Sequence, residues 1–196
     1  DGDGIPDYLD DEKQPDNVLP LPNGKTMEVA DGLKVKIGQN AFGGSKGTAT
    51  TTVEDIASYG DSAGGISTSD SEFELKSEIF DFAIHGLSKP GEKASIVIAL
   101  DSPLPANAIY RKFLPNRGWV TLTSGSGYII ESALSEPVNG LCPDGSSISY
   151  VAGLKKGDDC IKLTLVDGGE FDGDQLMNGV IDDPGVIALQ AKLNST

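Results

Sequence analysis

The chain has 196 residues, with 30 Asp and Glu against 15 Lys and Arg, for a formal net charge of −15 at pH 7. That length buries one proper core, and that charge excludes a nucleic-acid partner, which demands a basic footprint. No apolar run approaches the ~18 to 20 residues that span a bilayer.

The first eleven residues read Asp1-Gly2-Asp3-Gly4-Ile5-Pro6-Asp7-Tyr8-Leu9-Asp10-Asp11, five aspartates with no basic residue among them. Crowded carboxylates repel unless a cation lies between them. Ca²⁺ takes six to eight oxygens at such spacing, with glycine where the loop turns. The pattern predicts calcium on Asp1, Asp3, Asp7 and Asp10, the alternative being a solvated acidic tail. The chain opens within this motif and has no initiator Met or signal-peptide pattern, so a piece of a larger exported polypeptide is expected.

Residues 12–24 hold three prolines and read as an extended linker. From Lys25 onward strand signals recur. Leu33, Val35 and Ile37 alternate with lysines, and Phe80, Phe82 and Ile84 alternate with Asp81, Ala83 and His85, the period of half-buried strands. Residues 94–100 form an apolar run suited to a central strand. Further strands are expected at 108–113, 119–122, 128–131 and 160–166, separated by turn sequences such as Pro115-Asn116-Arg117-Gly118 and Ser124-Gly125-Ser126-Gly127. Residues 42–52 and 60–71 read as loops or weak edge strands, 53–59 as at most two helical turns, and 186–193 as strand or helix. This spacing predicts an all-β protein, an antiparallel β-sandwich of immunoglobulin-like or jelly-roll-like type with calcium-type acidic loops.

Cys142 and Cys160 are the two cysteines, and they flank the turn Pro143-Asp144-Gly145-Ser146. A disulfide between them would close a hairpin-like excursion and contribute roughly 3 kcal/mol by loop entropy. Two free thiols are the alternative. The disulfide is favoured and implies an oxidising compartment.

A second acidic loop follows. Asp172-Gly173-Asp174-Gln175-Leu176-Met177-Asn178 repeats the first in order, with Asp1 matching Asp172, Asp3 matching Asp174 and Asp7 matching Asn178. Asp167, Glu170, Asp182 and Asp183 surround it and complete the predicted ligand set. Residues 1–11 carry five acids and 167–183 six; without those eleven the charge is −4, so the acidity is focused on two sites.

Catalysis is not expected. His85 is the only histidine, and no G-x-S-x-G, H-E-x-x-H or phosphate-binding glycine loop occurs. Trp119, Tyr110 and Tyr128 suggest either a sugar-stacking platform or, more simply, core packing.

Asp3-Gly4-Ile5-Pro6-Asp7-Tyr8-Leu9-Asp10 resembles the calcium-binding thrombospondin type 3 repeat, D-x-D-x-D-G-x-x-D-x-x-D, entered after its first acid. Residues 25–187 resemble a bacterial surface domain, the choice-of-anchor U family. That resemblance rests on residues 80–87, 103–113 and 118–120, the cysteine pair, and the block running from Leu163 through Asn178-Gly179 to Asp183-Pro184-Gly185. It implies an exported cell-surface module: a partial repeat at 1–11, a linker at 12–24, the sandwich at 25–187, and a tail at 188–196 leading to an anchor or next module. The role so implied is structural and adhesin-like, rigidified by Ca²⁺, with neighbouring modules as partners. A fibre subunit joined by strand pairing and a calcium-dependent glycan- or peptide-binding module are the alternatives. Two departures from the family pattern stand out. Gln175 occupies a position where family members usually carry Gly, which strains the loop if positive φ is needed there, and Ile181 stands where the thrombospondin pattern places its last acid, leaving Asp182 or Asp183 to substitute from a shifted position.

Overall fold

The computed structural model describes residues 16–44, 47–59 and 66–191. In chain order the elements are β1 (Val18–Pro20), β2 (Thr26–Val29), β3 (Lys34–Ile37), α1 (Gln39–Gly43), β4 (Thr50–Thr51), α2 (Val53–Tyr59), β5 (Phe73–Leu75) and β6 (Ile79–His85). They continue with β7 (Lys93–Ala99), β8 (Ile109–Leu114), β9 (Gly118–Thr121), β10 (Ile129–Ala133), β11 (Val151–Ala152), β12 (Cys160–Val166) and β13 (Ile181–Gln190). The strands form two antiparallel sheets packed together, an all-β sandwich as the spacing predicts. One sheet runs β1-β2-β7-β12-β10-β11. The other runs β3-β6-β13-β8-β9, with β4 added to β6 and β5 to β13.

The core lies between the sheets. Met27, Ile96, Ile98, Ile161, Leu163 and Leu165 face it from the first sheet; Val35, Phe82, Ile84, Tyr110, Ile181 and Ile187 face it from the second. Each such fully buried large apolar side chain contributes about 1.5–3 kcal/mol.

The alternation read from Phe80 to His85 misses one thing, because β6 is buried on both faces. Its outer face is covered by α1 and by a second cluster of Ile56, Ile79, Phe113 and Val186, with Trp119 packed against it. Trp119 stands edge-to-face with Phe113 at 5.7 Å and donates from Nε1 to the Thr68 carbonyl at 2.8 Å. Tyr110 is in the core, and Tyr128 packs edge-to-face on Phe171 at 4.9 Å. Tyr110 and Tyr128 thus belong to the inter-sheet core and Trp119 to the second cluster.

Two segments depart from expectation. Part of the stretch read as linker belongs to the sandwich: β1 pairs with β2, and Leu19 and Leu21 are buried in the core. Pro20 is tolerated because β1 is an edge strand, where a missing N–H breaks no ladder. Residues 39–43, partly read as loop, form α1. The buried Asp81 carboxylate of β6 accepts the Ala41 N–H at 2.6 Å and so satisfies one of the helix's first donors. The segment 186–193, read as strand or helix, is strand through Gln190 in the described residues, the end of the ten-residue β13.

Cys142 and Cys160 are joined by a disulfide, with Cα atoms 5.6 Å apart. Cys160 is fully buried beside Val97, Ala133 and Tyr150, and the Tyr150 hydroxyl donates to the Pro143 carbonyl at 2.8 Å. The bridge thus staples the excursion between β10 and β12 to the outer face of the first sheet. Its reduction, or Cys142→Ser with Cys160→Ser, is expected to cost about 3 kcal/mol for this loop length. Scanning calorimetry with and without reductant should show the melting temperature fall by roughly 6–12 °C; an unchanged value would mean that the bridge contributes nothing to stability.

Candidate metal centre

The loop 167–180 connects β12 to β13 and folds back on itself through its acids. Asp167 is buried, and its carboxylate accepts N–H groups from Gly91 at 2.6 Å, Gly179 at 2.9 Å and Asn178 at 3.2 Å. It ties the two ends of the loop to the β6–β7 turn.

Asp172 is also buried. Its Oδ2 accepts the Gly168 N–H at 2.7 Å, and its Oδ1 accepts the Asp182 N–H at 2.9 Å, which draws the loop onto the first turn of β13. Gly173 completes that approach: its N–H donates to the Asp182 carbonyl at 2.9 Å, and a Cβ there would lie 3.0 Å from that same oxygen. The close backbone contact is the physical reason for glycine between the two acids.

These contacts bring three of the expected ligands together. Carboxylate oxygens of Asp172, Asp174 and Asp182 all lie within 4.8 Å of one another. Oxygens on opposite sides of one Ca²⁺ at about 2.4 Å are themselves about 4.8 Å apart, so the separation suits a single hard cation. Burial pushes the Asp172 carboxyl up to about 6, against the opposing pull of its two backbone N–H donors, and the nearby Asp174 charge adds to the rise. Asp182 is raised for the same two reasons, burial first and Asp174 next. Among the described residues no lysine or arginine forms an ion pair with any of the three. The Asp182 carboxylate accepts no hydrogen bond among those residues either. An oxygen-only, anionic, partly buried donor set fits a divalent hard cation and would supply it with charge neutralisation across the loop.

The remaining expected ligands have other partners. Glu170 pairs with Arg117 at 2.8 Å on the surface. Asn178 supports the triad indirectly: its Nδ2 donates to Asp174 at 2.6 Å, and its Oδ1 accepts the Val180 N–H at 2.8 Å. Asp183 follows Asp182 in β13 and therefore projects to the opposite face. There it is fully buried, 2.8 Å from Lys112 Nζ, with the Tyr110 hydroxyl donating to it at 3.3 Å. Asp1, Asp3, Asp7 and Asp10 lie outside the described residues.

The departure at Gln175 has the predicted consequence, since its φ is 56°, in the left-handed region that glycine favours. Two side-chain contacts hold it there. Asn116 donates to its Oε1 at 2.5 Å, and its Nε2 donates to the Glu170 carbonyl at 3.2 Å.

One buried acid near this site was invisible as such in the sequence. Asp81 reads as the polar half of an alternating strand, yet it is buried beneath α1, with burial pushing its carboxyl up to about 6. A cleft of about 290 Å³ joins it to Asp174 and Asp182 on the outer face of the second sheet. The only signal was an aspartate between Phe80 and Phe82.

Among the described residues no helix is long and apolar enough to cross a membrane. No family model, curated protein or solved structure matches the chain.

Proposed function

We propose that this chain is a structural module of an exported bacterial cell-surface protein, adhesin-like, whose 167–182 loop is rigidified by Ca²⁺ held on Asp172, Asp174 and Asp182. The observation that carries the reading is the convergence of those three carboxylates without a cationic partner among the described residues. The choice-of-anchor U and thrombospondin type 3 resemblances support the exported location, and so does the Cys142–Cys160 bridge, which persists in oxidising compartments. In this role the protein is not an enzyme. Calcium cancels repulsion among acids that already fold the loop onto β13, and the end of the sandwich becomes a stiff junction.

A discrete module is favoured over a fibre built by strand addition. The sheet edges are short, with two residues in β11, three in β1 and four in each of β3 and β9. The outward lysines Lys34 and Lys36 of β3 further discourage pairing.

Isothermal titration of calcium into the metal-stripped chain is the direct test. Binding that disappears at this site in Asp174→Ala, with the fold intact by circular dichroism, supports the reading. An unchanged isotherm in the variant would remove the triad as the site. A wild-type chain that takes up no calcium would remove the metal altogether.

A further inference from the structure

Lys112 of β8 and Asp183 of β13 meet in the inter-sheet core with no accessible surface on either side chain. The strand register brings them together. Lys112 stands opposite Gly185 across the β8–β13 pair, and Asp183 lies two residues along β13 on the same face, a diagonal neighbour within reach of a long side chain. Gly185 leaves room for a third group, since a Cβ there would collide with the Tyr110 hydroxyl. That hydroxyl donates to Asp183 Oδ2 at 3.3 Å.

The two charges are close but poorly matched. Nζ lies 2.8 Å from Oδ1, yet the contact is not aligned as a hydrogen bond, and Oδ1 has no hydrogen-bond partner. Nζ carries three donors and gives one to the Asp182 carbonyl at 3.0 Å. A buried acceptor left unmet costs free energy, and so do two ions stripped of hydration.

We propose that Lys112 and Asp183 condense to an isopeptide bond between Nζ and Cγ, with loss of water. A proton passes from Nζ to Oδ1 within the pair, so none is exchanged with solvent. The amine lone pair then attacks Cγ, and negative charge develops on Oδ2, where the Tyr110 hydroxyl donates. Oδ1 takes a second proton from Nζ and leaves as water, so the Cγ–Oδ1 bond breaks and an amide remains. The departing oxygen is the one without a hydrogen-bond partner. The product keeps the partners already in place: Oδ2 becomes an amide carbonyl facing Tyr110, and the last proton on Nζ faces the Asp182 carbonyl. In water, hydration of the ammonium and the carboxylate holds such a condensation back. Here burial has removed that hydration, and the paired strands hold the reactants in contact. The ion pair is the reactant state, and the reaction requires no calcium.

The test is the intact mass of the folded chain after reduction of the Cys142–Cys160 bridge. Expected is a mass one water below that of the sequence. A tryptic map should lack cleavage after Lys112 and contain one branched peptide joining Lys112 to Asp183. Asp-Gly steps such as Asp167-Gly168 and Asp172-Gly173 lose water by closing to a succinimide, and the map separates that loss from the cross-link. Lys112→Met combined with Asp183→Leu should retain its full mass. Tyr110→Phe, followed by mass from the moment of cell-free synthesis, should form the bond about a hundredfold more slowly, the loss of one donor to a developing oxyanion. A folded chain of full sequence mass, a water loss that maps to an Asp-Gly step, or the same loss in the double variant would each overturn the proposal. Condensation of Tyr110→Phe at the unaltered rate would overturn the role given to the hydroxyl.

Discussion

Lys112→Met is expected to be among the most damaging single substitutions in this chain, costing about 3–5 kcal/mol. Lys112 and Asp183 are both fully buried, with Nζ and Oδ1 2.8 Å apart. Lys112 is two residues from Tyr110 on β8, so it shares the face that Tyr110 turns to the inter-sheet core. Its ammonium also donates to the Asp182 carbonyl at 3.0 Å. Removing it strands the Asp183 carboxylate, already raised by burial and lowered mainly by Lys112, with the Tyr110 hydroxyl as its remaining hydrogen-bond partner. Melting should fall by roughly 6–20 °C. Lys112→Met combined with Asp183→Leu removes both charges and should recover most of the loss, since a buried pair replaced whole by apolar groups is often neutral or better. A single variant losing less than about 1 kcal/mol would show that the pair is solvated in a way that its burial contradicts.

Calcium is expected to raise the melting temperature by roughly 5–11 °C at a free concentration of about a hundred times Kd, the equivalent of about 2.7 kcal/mol. Asp174→Ala should remove most of that rise. The pH dependence offers an internal check. Asp81 and Asp172 are both raised from 3.8 to about 6 in the folded chain. A carboxyl whose folded value exceeds its unfolded value penalises folding fully above the folded value, and the penalty is relieved as pH falls through it. In chelator, stability should therefore increase between about pH 7 and pH 5. Calcium holds its carboxylates without protons, so in calcium the Asp172 share of that gain should vanish and acidification should release the metal. Identical melting curves in calcium and chelator at every pH would leave the triad a purely protonic cluster.

Where a strand faces the core on one side only, its alternation could be read directly, as with Val35 and Ile37 alternating with Lys34 and Lys36. The segments that eluded reading depend on partners distant in sequence. α1 has no side-chain cap of its own and exists because Asp81, forty residues on, meets its amide. Pro20 and Pro22 look like linker residues until β1 is seen as an edge strand carrying Leu19 and Leu21 into the core. The acidic loop divides on the same principle. Asp172, Asp174 and Asp182 could be grouped by their spacing, but Asp182 and Asp183 are neighbours that strand geometry sends to opposite faces. That division appears only once β13 is known to begin at Ile181.

β13 also fixes an order of events during synthesis. It lies in the middle of its sheet, between β6, which precedes Ile181 by about a hundred residues, and β8, which precedes it by about seventy. Until Ile181–Gln190 has emerged, β6 and β8 have no neighbour between them, and each presents an unsatisfied ladder to whatever strand is near. A chain made from its N-terminus must carry that open seam until β13 follows. Closure of the sandwich is thus a late, single event, and the acidic loop that immediately precedes β13 is the last part of the chain to be threaded before it.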